Sequence, residues 1–362
     1  MAYSSVMIIL FGQFMSFTVA AGFAALATLR LDCHLSAPTL SITPLYLALS
    51  CFHIPLHFAR RAEQDKWAGE HKKTDTQTNN HPPSLPDMGE NEQASNGETV
   101  ASTLIDGTNA APVQPKHSFL YLIPLSQPFY MYAILAVADM YAQIFMIWAF
   151  RYTTITSVAV MDALAIPSAM VLSRFWLGRR YGLLHFVGVI ACMTGILLNV
   201  FQDYEEDQAA QAEAIASGNP QDSYPQKALG DALGFFGGIL FGISNTIAEH
   251  LVRDVKSTGS SEISRFEYLA MMGTIASSIC VIQTVLLERN EIQQFVLTVN
   301  NDDMCSHRDV ILLWMFFAVC CVIGYVGTAR FLQVSEAVFY NLSLLTGDFW
   351  CVSELLSKCE CC

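Results

Sequence analysis

Charge is what this chain lacks most. Asp, Glu, Lys and Arg make up 14% of its 362 residues, where a soluble globular domain carries about a quarter. A water-facing surface needs those groups, so a soluble fold of this length is excluded. No lysine falls inside the long apolar runs, and arginine reaches only their edges, as at Arg174 and Arg330. The net charge is −13, which removes the basic footprint that nucleic-acid binding requires. A cleaved signal peptide is not expected: no basic stretch precedes the first apolar run, and that run exceeds the roughly 7–15 residues of a signal core. The cysteines are scattered, several of them inside apolar runs, where they act as small hydrophobes.

What is abundant is apolar sequence. Hydrophobic residues make up 53% of the chain, and they fall in blocks. About 20 apolar residues cross the hydrocarbon core as a helix. Backbone amides in lipid must bond within their own segment, so each block should be helical. Nine blocks meet this description: 6–29, 37–58, 129–150, 155–177, 182–201, 228–251, 266–287, 310–332 and 337–356. The expected fold is an all-α integral membrane protein. The segment 119–127 is apolar but interrupted by Pro124, and reads as an interfacial lead-in to the third span.

Organisation follows from these blocks. Residues 1–59 hold spans 1–2, and 60–117 read as a disordered cytoplasmic loop, rich in polar residues and poor in aromatics. Residues 118–201 hold spans 3–5, and 202–227 form an acidic non-cytoplasmic loop. Residues 228–356 hold spans 6–9, and 357–362 a Cys-rich tail. Arg60, Arg61, Lys66, Lys72, Lys73, Lys116, Arg174, Arg179, Arg180, Arg253, Lys256, Arg265 and Arg330 fall on one side. Only Arg30, Arg151, Lys227, Arg289, Arg308 and Lys358 fall on the other. Basic residues stay in the cytoplasm, so the N-terminus is expected there.

An internal echo adds a constraint. Laying Ser157 on Ala337 sets Val158 against Val338 and Leu164 against Leu344. A unit of five helices is odd, so a second copy inserts upside down. Inverted repeats of this kind place a solute site between the halves near the midplane.

Ionisable residues in membrane helices cost about 2.5–3.5 kcal/mol each and mark functional sites. Asp139 lies midway along the third span, Asp162 within the fourth, Glu249 near the cytoplasmic end of the sixth, and Asp348 within the ninth. Tyr141, Gln143, Ser157, Asn245 and Asn341 share those helices, and together these nine are the candidate substrate-binding or coupling residues. Acids without an evident cation predict a neutral or cationic solute, or a coupled proton. Gly230, Gly234, Gly238 and Gly242 recur every four residues on one face of the sixth span. They are expected to let a neighbouring helix approach closely. Pro167 should bend the fourth span by removing a backbone bond. His53 and His57 share a helical face, but no third ligand is evident, so no metal site is expected.

Four segments carry a family resemblance: 152–167 (YTTITSVAVMDALAIP), 241–253 (FGISNTIAEHLVR), 265–273 (RFEYLAMMG) and 341–348 (NLSLLTGD). They resemble solute carrier family 35, subgroup F, of the drug/metabolite transporter superfamily. The resemblance implies ten helices in two inverted five-helix repeats, of which this sequence supplies nine, the tenth being absent. It also implies that Asp139, Asp162, Pro167, Asn245, Glu249, Glu267, Asn341 and Asp348 occupy family positions. Tyr141 and Ala248 depart from it, each standing where the family has an acid.

The function expected is therefore a multi-pass transporter working by alternating access, not an enzyme, with no cofactor. Two alternatives stay open. One is a non-transporting scaffold or receptor-like relative. The other is an intramembrane aspartyl enzyme using Asp139 and Asp162 as a pair; the Gly-x-Gly-Asp motif of such enzymes is missing, since Asp348 follows Leu345-Thr346-Gly347. The partners implied are a small-molecule solute and the lipid bilayer, with proton coupling and a homodimer as further options. The membrane is an endomembrane (Golgi, endosome or ER) or the plasma membrane.

Overall fold

The computed structural model describes residues 5–31, 37–78, 117–119, 123–153, 155–217, 227–253, 261–301 and 306–344. The helices are α1 (Ser5–Leu31), α2 (Pro38–Ser50), α3 (His53–Thr78), α4 (Phe129–Tyr152), α5 (Ile155–Asp162), α6 (Ala165–Trp176), α7 (Leu183–Ser217), α8 (Lys227–Arg253), α9 (Ser261–Leu287), α10 (Arg289–Asn301) and α11 (His307–Val334). Residues 337–344 are also helical. Among the described residues, six helical stretches are long and apolar enough to cross a membrane: Val6–Leu26, Pro38–Lys66, Phe129–Tyr152, Lys227–Arg253, Glu262–Leu287 and His307–Val334. The protein is thus an all-α, multi-pass integral membrane protein. Its outward faces carry large exposed hydrophobics such as Phe17, Ile134, Val285 and Phe316, which suit lipid rather than water.

Two of the expected spans are interrupted. The second breaks at Cys51–Phe52, where Cys51 and Phe52 donate to Ala48 and Leu49 in tightened turns. Pro55 explains the position, because its ring clashes with the carbonyl four residues earlier. The fourth breaks at Ala163–Leu164, again through turns of reduced span. Pro167 lies in the first turn of α6 rather than at a mid-helix bend. There its missing N–H costs nothing. The fifth span has a short apolar portion, His185–Leu198.

Three further segments depart from the sequence reading. The stretch from residue 60, expected to be disordered, continues as helix α3 to Thr78. Good helix formers such as Ala62, Glu63, Gln64 and Lys66 carry it past the membrane. The acidic loop likewise begins as helix, with α7 running to Ser217 through an Ala-rich run. The expected lead-in at 119–127 holds a strand pair instead, β1 (His117–Phe119) against β2 (Ile123–Leu125), antiparallel with Ser118 opposite Pro124. Helix α10, between α9 and α11, was not expected at all.

Packing between the halves is reciprocal. Helix α4 packs along α8, and α1 along α11; α2 packs along α9. Helix α2 also touches α11, and α4 touches α9. Exchanging the first five spans for the second set swaps α4–α8 with α1–α11 and α2–α11 with α4–α9, and returns α2–α9 to itself. The glycines of α8 permit its share. A Cβ on Gly238 would come within 2.3 Å of the Met161 carbonyl, and one on Gly242 within 2.5 Å of the Ala165 carbonyl. Gly230 and Gly234 lie less closely, a built Cβ coming 2.9 Å from Thr153 and 3.1 Å from Met161. Gly273 of α9 permits a close approach at the other break, with Ser50 N 2.4 Å from a built Cβ. Each interrupted span is therefore seated on glycine.

Candidate functional site

Asp139 lies at the centre of this packing, 4% exposed. Three helices bring it hydroxyl donors. Tyr46 of α2 donates to Oδ2 at 2.7 Å, Tyr325 of α11 to the same oxygen at 2.5 Å, and Ser244 of α8 to Oδ1 at 3.3 Å. Gln143, one turn along α4, donates through Nε2 to the Tyr325 hydroxyl at 3.2 Å. Its own Oε1 is buried and accepts no hydrogen bond from a described residue. Tyr268, Cys321 and Tyr340 also lie in the field of Asp139. Among these described neighbours none is cationic. Hydroxyl donors satisfy a carboxylate's lone pairs without neutralising it.

A second polar layer adjoins the first. Asn245 Nδ2 donates to Asn341 Oδ1 at 2.6 Å, and Asn341 Nδ2 to the Ala165 carbonyl at 3.3 Å. Ala165 opens α6, just after the break. Asp162 ends α5 at the same break, half-buried, and shares Tyr340 as a neighbour with Asp139. An interrupted helix with freed backbone groups is the usual element of a membrane solute site.

The other candidates fall elsewhere. Ser157 donates to Asp231 Oδ1 at 3.0 Å, beside Thr153 at 2.8 Å. Asp231 therefore docks α8 against the first half. Tyr141 faces α9 and accepts from Gln283 at 2.5 Å. Glu249 is fully buried at the far end of α8, gripped by Arg179 and Arg253, with Oε2 taking the Ala337 N–H at 2.8 Å. Asp348 lies outside the described residues.

Several site residues escaped sequence reasoning. Tyr46 and Tyr325 sit in apolar runs, and a search for charge passes over phenols. Glu267, named only through the family resemblance, takes four donors: Arg60 at 2.8 Å, Ser126 N at 2.7 Å, Ser126 Oγ at 2.8 Å and Tyr132 at 2.6 Å. Glu288 takes the N–H groups of Thr39 and Leu40, at 2.7 and 2.8 Å, at the start of α2. The signal available for Glu288 was an acid closing an apolar run, opposite a helix that opens with Pro38.

Comparison with known proteins agrees with this architecture. The pattern of the family described as Solute carrier family 35, in its F subgroup, matches residues 100–356. Solute carrier family 35 member F2 of Mus musculus is 29% identical over 226 residues, covering 62% of this chain and 53% of the relative. Its Xenopus tropicalis counterpart is 30% identical over 251 residues, covering 68% and 56%. An uncharacterized solute carrier family 35 member of Schizosaccharomyces pombe is 28% identical over 219 residues, covering 60% and 38%. The chain spans about half the length of the curated relatives from mouse and frog. A match over most of the sequence, on an all-helical membrane fold, assigns the family: the chain belongs to solute carrier family 35, subgroup F.

Proposed function

We propose that this protein carries a small neutral or cationic solute across a membrane by alternating access, with Asp139 as the central binding or coupling group. One observation supports this most. A buried acid midway along a spanning helix is held by hydroxyls from both halves of the protein, and no described cation neutralises it. Such a group binds a cation, accepts a donor, or takes up a proton. The adjoining layer of Asn245, Asn341 and Asp162, at the break before α6, supplies further donors and acceptors. Membership of a solute carrier family speaks for transport over catalysis. The gliding face is the glycine stripe of α8, along which the halves can shift.

The basic ends of α3, α6 and α8, with the start of α9, support an N-terminus in the cytoplasm. The membrane is an endomembrane or the plasma membrane. Uptake by the purified full chain in proteoliposomes, offered a mixed metabolite pool and read by mass spectrometry, tests the reading. Accumulation that is lost in Asp139→Asn supports it, and Gly234→Leu should abolish uptake while leaving expression partly intact. Tight, saturable uptake of a nucleotide sugar would overturn the charge preference, since its phosphates call for Arg or Lys partners.

A further inference from the structure

Buried or half-buried acids of the second half dock onto the first half at both ends of the bundle. At one end the partners are arginines. Arg179, in the link between α6 and α7, reaches both Glu249 and Glu336. Arg60 of α3 reaches Glu267 at 2.8 Å. At the other end Glu288 holds two backbone N–H groups and Asp231 holds two hydroxyls, and a charged pair there, Arg151–Glu291, is loose at 3.8 Å.

Arg179 ties two separate parts of the second half with a single side chain. Glu249 belongs to α8, and Glu336 immediately precedes the helix at 337–344. Glu249 also caps that helix through the Ala337 N–H at 2.8 Å and keeps Arg253 at 2.8 Å. If Arg179 leaves, Glu249 therefore stays bound within its own half, with its charge still paired. The second half loses nothing internal when the bond to the first half breaks. Gly178 sets the release point: it ends α6 with φ +65°, a left-handed conformation suited to glycine. The Arg179 side chain is 17% exposed, so water can replace its partners as they part. The buried Glu288 contact has no such substitute.

We propose that Arg179 is a latch holding the arginine-rich end closed, and that its release from Glu249 and Glu336 opens a path to Asn341 one turn beneath. The proposal rests on the carrier reading above. Its test reads opening rather than transport, so the two can fail separately. Asn341→Cys in the full chain, in lipid nanodiscs, is exposed to a membrane-impermeant methanethiosulfonate reagent. Modification of the peptide carrying position 341 is followed by mass spectrometry. Adding Arg179→Gln should speed modification roughly tenfold, the change that 1.4 kcal/mol of lost closure produces, and Arg179→Lys should restore most of the protection. Glu336→Gln removes a more exposed partner, 43% exposed. It should give a smaller rise in the same direction even if Arg179→Gln folds poorly. Asp231→Asn, at the opposite end, should leave position 341 protected. Equal rates in the parent, Glu336→Gln and Arg179→Gln/Arg60→Gln chains would overturn the latch, and intact solute uptake beside that result would leave the carrier reading standing.

Discussion

The two ends of the bundle hold the same two halves together by different chemistry. At one end Glu249 and Glu267 meet Arg179, Arg253 and Arg60. At the other, Glu288 meets the first turn of α2, and Asp231 meets Thr153 and Ser157. Arginine pairs bring both charges with them, so each partner can be rehydrated when the pair parts. A carboxylate on a helix N-terminus satisfies N–H groups that have no partner inside the helix, and separating it strands those groups. One end is built to be released and the other to be kept.

The largest expected effect comes from removing a shared acid at the arginine end. Glu249→Ala strands two arginines and the Ala337 N–H. It should cost about 3–5 kcal/mol, as for other broken buried pairs, seen as a large fall in the detergent unfolding midpoint. Glu267→Gln keeps the shape but drops the charge facing Arg60. A loss of about 1.5–3 kcal/mol, the range for hydrogen bonds to a charged group, is expected. At the other end Glu288→Gln should cost about 0.5–2 kcal/mol, as caps do. Salt sharpens the comparison. Raising ionic strength should narrow the gap between the parent and Arg60→Gln, because partly exposed pairs are screened, and should leave the Glu288→Gln deficit nearly unchanged. The smallest effect belongs to Arg151→Gln. Its partner Glu291 lies 3.8 Å away and both side chains are about a third exposed or more, so the change should stay within about 1 kcal/mol. If Arg151→Gln rivalled Glu249→Ala in the same unfolding assay, the contrast between the ends would collapse.

Much of the fold was readable in advance because hydrophobic runs of spanning length have few alternatives in lipid. The blocks at 129–150, 228–251, 266–287 and 310–332 agree with α4, α8, α9 and α11 to within a few residues. The acidic and polar stretches misled in a consistent way. Residues 60–78 and 202–217 have loop-like composition for a membrane protein yet good helix propensity, and propensity won. The strand pair at 117–125 is too short for any periodicity to reveal. At the site, Asp139 and Gln143 were visible because polar groups in apolar runs are costly. Ser157 was visible for the same reason but belongs with Asp231 at one end, since its direction depends on the twist of a short helix that breaks five residues later.

By itself the sequence determined that this chain lives in a bilayer, that it crosses it several times, and which family it belongs to. Each of these follows from local apolar content or from motifs contiguous in the chain. Only the tertiary structure decided that Tyr46, Ser244 and Tyr325 converge on Asp139, and that Glu288 caps α2. It alone placed Arg179 across to Glu249 and Glu336. Those partners lie tens to hundreds of residues apart and meet because glycines let the helices come close enough, a condition set by both surfaces together.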